Sequence, residues 1–183
     1  MKLTNKQLEY YRRNKKLVKI ERAPELGSNN IYGFILDYSD KFILLAEEND
    51  FYIDGWLIIN RFYIEAIKTT KNSNYCKKIL QKEGLLDDIK PPFTINISSY
   101  NNVFRSLKKH KQIVIVEDEH PDGGVFLIGP IKKIDKGSVS IRHFTGYGEW
   151  IRARRYIKFE DISIVGLGNN YIRLCAKYID TEL

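Results

Sequence analysis

The chain has 183 residues, 43% of them hydrophobic, enough for one ordinary domain or two small ones with packed cores. Thirty Lys and Arg against 23 Asp and Glu leave a formal charge of +7; no low-complexity tract suggests disorder, and no apolar run is long enough to cross a bilayer. Cys76 and Cys175 stand alone, and no apolar stretch follows the basic opening residues, so we expect reduced thiols, a cytoplasmic location and no signal peptide.

In chain order, residues 4–13 predict a short helix, with Thr4 and Gln7 spaced as a capping box and Leu8 and Tyr11 on one face. Five strands follow at 17–22, 31–39, 41–48, 51–60 and 63–69, broken by turn residues such as Ser39-Asp40 and Asn49-Asp50. Residues 72–84 predict a helix capped near Ser73 or Asn74, with Tyr75, Cys76, Ile79 and Leu80 as its apolar stripe. The paired prolines Pro91-Pro92 stiffen a connector. The pattern then restarts. Residues 98–110 predict a helix with Val103, Phe104 and Leu107 inward, followed by strands at 112–118, 124–134, 137–144, 149–159 and 162–166. A last helix, 169–179, is expected to bury Tyr171, Ile172, Cys175, Tyr178 and Ile179.

The restart is a repeat. "YGFILDYSDKFILL" (32–45) and "LIGPIKKIDKGSVSI" (127–141) place Gly33 and Gly129 alike, and the spacing also pairs Trp56 with Trp150. A glycine inside a strand lets a small sheet bend sharply, and a short five-strand unit gains by closing, since closure removes exposed edges. The expected fold is mainly β with flanking helices (α+β): two tandem five-stranded small barrels, residues 1–88 and 89–183, each padded by helices.

In the first half, "GFILDYSDKFILL" (33–45) has a glycine in strand two, an acidic residue at the turn and an apolar strand three. "DGWLIINRFYIEAI" (54–67) has a glycine opening strand four and a hydrophobic pair in strand five. Together they resemble the two motifs of the Sm-like family, whose members are strongly bent SH3-type barrels. The resemblance implies RNA binding, and rings joined through the edges of strands four and five; two fused copies can instead pair with each other. The sequence departs from the family at Phe42 and Ile43, in the region where an asparagine usually contacts a base, and at Asp54, where an arginine usually precedes the glycine. An acidic group there repels phosphate.

The charge is unevenly placed. Residues 1–22 hold eight Lys and Arg against two Glu, and 73–111 hold eight against three, while 23–72 are acidic and 112–183 balanced. The expected nucleic-acid surface lies in the second repeat. There "EWIRARRYIKF" alternates Ile151, Ala153, Ile157 and Phe159 inward with Trp150, Arg152, Arg154, Tyr156 and Lys158 outward, and Arg142 and Phe144 join from the preceding strand. Guanidinium groups would meet phosphates and rings would stack bases. The basic arm adds Lys6, Arg12, Arg13, Lys15 and Lys16.

The run "EDEHPDGG" (117–124) offers Glu117, Asp118, Glu119, His120 and Asp122, but its proline–glycine ending is that of a hairpin loop, so no metal site is expected. His110 caps a Lys-rich helix end, His143 reads as a packed strand residue, and no catalytic or phosphate-loop motif is present. The expectation is therefore a binding protein, not an enzyme, with no cofactor. RNA or single-stranded DNA is the leading partner, and a protein partner or a homodimer is the alternative.

Overall fold

The structure, a computed structural model, describes residues 4–26, 30–87, 89–120 and 124–179. The chain builds α1 (Asn5–Arg13), then β1 (Leu17–Arg22), β2 (Ile31–Tyr38), β3 (Phe42–Asn49), β4 (Tyr52–Asn60) and β5 (Ile64–Lys68). The helices α2 (Lys71–Lys82) and α3 (Tyr100–Lys109) lead into β6 (Ile113–Asp118), β7 (Val125–Ile134), β8 (Ser138–Ile141), β9 (Arg155–Lys158) and β10 (Ile164–Leu167), and α4 (Asn170–Tyr178) closes the series. No helix among the described residues is long and apolar enough to cross a membrane.

The ten strands form one antiparallel sheet in the order β5-β1-β2-β3-β4-β10-β6-β7-β8-β9. Sequence reading predicts two closed five-strand units; the sheet is instead continuous and open. Each half nevertheless repeats the same internal order, its fifth strand beside its first. The halves join where β4 pairs with β10, Trp56 opposite Leu167 and Ile59 opposite Ile164.

Further bonds tie the halves together. Arg22, almost fully buried, forms an ion pair with Glu119, which also accepts from Ser163 Oγ at 2.6 Å. Tyr63 Oη lies 3.1 Å from His120 Nε2, and the Asn60 side-chain amide donates to Tyr100 Oη at 3.3 Å. Asp54 accepts from the Asn170 N–H at 2.7 Å, next to the start of α4. The carboxylate that departs from the family pattern thus serves a helix N-terminus, where negative charge is stabilising. Glu119 and His120 are likewise used structurally, and Asp122 lies outside the described residues.

The core follows the apolar alternation. Val18, Ile20, Ile43, Leu45 and Ile59 pack together in the first half. Val103, Phe104 and Leu107 of α3 are buried as predicted, against Val114, Val116, Ile141 and Val165. Thr70, not Ser73 or Asn74, caps α2, and Ser73 completes the reciprocal bond. Tyr75, Tyr171 and Tyr178, expected in helix stripes, are exposed, while Cys76, Leu80, Ile172 and Ile179 of the same stripes are buried. A tyrosine at a stripe's margin keeps its hydroxyl wet at little cost.

Burial, reinforced by nearby Asp54 and Glu117, pushes the Glu47 carboxyl up to about 7, and burial beside Glu119 does the same for Glu117. Both values exceed the ordinary 4.5. Their stabilisation is therefore complete below that value and is lost as pH rises through about 7. The melting temperature is expected to fall between about pH 5.5 and about pH 8, and Glu47→Gln to flatten that fall. A wild-type melting temperature that rises over this range in thermal scans would contradict the assignment.

Candidate nucleic-acid interface

The candidate surface is built by the segment that leaves β8 and returns into β9. At its tip the Thr145 N–H donates to the Glu149 carbonyl at 2.8 Å, and Gly148, with φ 80°, takes the turn that side chains resist. Below the tip, Phe144 and Trp150 form an isolated antiparallel bridge, and Ile151 N–H donates to the His143 carbonyl at 3.0 Å. Phe144 anchors the segment: it is 1% exposed, packed with Ile115, Ile128, Ile172 and Ile179. His143 is held from the same side, its Nδ1 accepting from the Ile128 N–H at 3.1 Å.

Two expectations are corrected here. The strand predicted over 149–159 is confined to Arg155–Lys158, and Ala153, expected inward, is exposed. Residues 152–155 offer one alanine among three arginines, too little apolar surface to hold a strand against the core. Phe144, expected as a stacking platform, is interior and offers no face to a ligand. The repeat also aligns differently from the sequence spacing. Ile35 faces Leu45 and Ile131 faces Ile141, so Leu57, opposite Leu45, corresponds to Arg155, opposite Ile141. Trp150 therefore has no register partner in Trp56.

What the segment encloses is a cavity of about 690 Å³ between β7, β8 and residues 150–154. Four predicted residues meet in its wall: Arg142, Trp150, Arg152 and Arg154. The Arg142 guanidinium lies 4.2 Å from the Trp150 ring centroid, and Phe144 meets the same indole edge-on at 5.6 Å. This packing holds the arginine in place over an aromatic face. Arg152 and Arg154 are exposed, and neither forms an ion pair among the described residues. No carboxylate among the described residues lines the cavity.

Four lining residues were not singled out from the sequence: Lys132, Lys133, Ser140 and Ile141. Lys133 pairs with Asp135 at 2.7 Å, which raises its pKa. Ser140 is 0% exposed, and its hydroxyl has no hydrogen-bond partner among the described residues. A signal did exist in the repeat. Where the first half sets Asp37 opposite Leu44, the second sets Lys133 opposite Ser140, so an acidic–apolar pair becomes a basic–polar one.

The remaining predicted residues lie elsewhere. Tyr156 and Lys158 are exposed on β9 but do not line the cavity, and Lys158 pairs with Glu160 at 3.3 Å. In the arm, Arg12 and Arg13 both grip Glu9, whose carboxyl is held at about 2. Arg12, Arg13 and Lys15 border a different cavity, with Phe34, Leu44 and Phe93. Lys16 lies 6.0 Å from the Tyr10 ring, and Lys15 and Lys16 both lower the pKa of Lys77 after its own desolvation. The arm is thus partly neutralised and does not join the second-half surface.

Compared with known protein families, curated proteins and solved structures, the chain matches none of them.

Proposed function

We propose that the chain is a non-catalytic binding protein, built of two Sm-like five-strand halves within one open sheet, whose second half holds the phosphates of RNA or single-stranded DNA. The observation that carries this is the cavity beside Trp150: among the described residues Lys132, Arg152 and Arg154 line it without ion pairs, Arg142 is braced on the indole, and no carboxylate lines it. The three cations Lys132, Arg152 and Arg154, without ion pairs among the described residues, beside an aromatic wall suit a single strand, which needs phosphate contacts and a stacking face together. Fluorescence anisotropy with a mixed-sequence single strand tests it. About three phosphate contacts give a slope of about −2 in log K against log salt. Absence of binding at low salt would sink the proposal.

A second function, self-association, is favoured by one observation. Strand four of the first half already pairs with strand five of the second, and β9 and β5 are the corresponding strands left at the outer edges. Carrying the β4–β10 register outward sets Lys158 opposite Glu65 but Arg155 opposite Lys68. One attraction and one repulsion make a weak, salt-sensitive contact. Native mass spectrometry showing monomer alone at high protein concentration would exclude it.

A further inference from the structure

Trp150 borders a second cavity. This one, of about 420 Å³, lies between α4, the C-terminal end of α3 and strands β6 and β7. Its wall is apolar (Pro130, Ile131, Ala176 and Ile179 beside the indole), with Lys108, Lys111 and Gln112 also contributing. The basic and the apolar cavity are neighbours: Trp150 belongs to both, and Ile131 of one precedes Lys132 of the other along β7. The Lys108 ammonium donates to the Lys132 carbonyl, which fixes the helix end to the strand at that boundary.

We propose that this apolar cavity receives one nucleobase of the strand whose phosphates lie in the basic cavity, so that Trp150 stands between the two. The inference rests on the phosphate-binding function proposed above. Its volume falls within the roughly 300–1,000 Å³ of small-ligand sites. No carboxylate lines it, and two lysines border it, so an anionic strand is welcome at its mouth. Gln112 separates a base from an acyl chain as occupant. One N–H of its amide donates to the His110 carbonyl at 2.9 Å, which leaves the second N–H and the amide oxygen for a base edge.

The test compares three probes on the full chain: a short mixed-sequence single strand, an abasic strand of equal length, and inorganic polyphosphate. The normal strand is expected to bind roughly tenfold or more tightly than the abasic one, the size of one lost base–aromatic stack. Ala176→Phe, which fills the cavity from the half-buried face of α4, should erase that difference and leave polyphosphate binding unchanged. Ala176→Leu provides a milder filling, and a melting scan confirms that each variant folds. Equal affinity for normal and abasic strands, or a difference that survives Ala176→Phe, would overturn the proposal while leaving phosphate binding intact. Failure of all three probes to bind at low salt would overturn both. Decanoate binding that Ala176→Phe abolishes, without displacement of the normal strand, would give the cavity to an acyl chain instead and overturn the base assignment.

Discussion

Arg152→Glu combined with Arg154→Glu is expected to abolish single-strand binding while leaving the melting temperature unchanged. Both side chains are exposed, and neither is ion-paired among the described residues, so stability should shift by no more than about 0.5 kcal/mol. Binding responds differently. Near a phosphate each reversal turns an attraction of about 1 kcal/mol into an equal repulsion, even at the dielectric of water. Two reversals therefore amount to about 4 kcal/mol, or roughly a thousandfold in affinity. The matched control is Arg12→Glu with Arg13→Glu. Those guanidinium groups already face Glu9, and their reversal should cost far less. Anisotropy titrations of the two double variants decide the matter. If the Arg152 and Arg154 variant binds like wild type, the phosphates lie elsewhere; if only the arm variant fails, they lie on α1.

The contrast between these two arginine pairs shows what the sequence made legible. Strand positions were readable because short continuous apolar runs such as 42–46 and 113–116 end in acidic residues, and α3 because Val103, Phe104 and Leu107 recur at helical spacing. The strand order shared by the two halves was readable from Gly33 and Gly129. The joining of the halves into one open sheet was not, because a strand four that pairs within its own unit and one that pairs with a neighbour have the same alternation. Residues 149–159 misled for a related reason: alternation of Ile, Ala and Ile with charges predicts a strand, yet strand formation also needs a partner edge, which the bridged segment 142–151 does not extend to Arg152. Charge counting alone makes Arg12 and Arg13 a cationic arm, whereas their i,i+3 and i,i+4 spacing to Glu9 lets one carboxylate pair with both. Ser140 was invisible as a site residue because a serine in a strand is ordinary until its hydroxyl is found buried without a partner.

Gly129→Ala is expected to cost more stability than any surface change at the site, and to remove binding with it. Gly129 sits at φ 150°, a conformation that side chains rarely adopt, and a Cβ there would lie 1.9 Å from the Arg142 carbonyl oxygen. Backbone cannot yield as the end of a flexible side chain can, so β7 must part from the segment that carries Arg142. Losses of this origin reach about 4 kcal/mol or more, and for a chain of this size each kcal/mol moves the melting temperature by roughly 2–4 °C. A fall of about 8–16 °C follows. Gly33→Ala should behave similarly, its Cβ meeting the Ala46 carbonyl at 2.2 Å, because the same sharp approach recurs in the first half. Gly137→Ala is the control: a Cβ there meets nothing within 4 Å, so the change should be neutral or stabilise by about 0.4–1 kcal/mol through the unfolded chain. The two strand glycines should differ in function, since only Gly129 approaches the backbone of a residue that lines the basic cavity. At a temperature where both variants remain folded, Gly33→Ala should keep its affinity for single strands and Gly129→Ala should lose it. Equal binding by the two would mean that the Arg142 backbone does not shape the cavity.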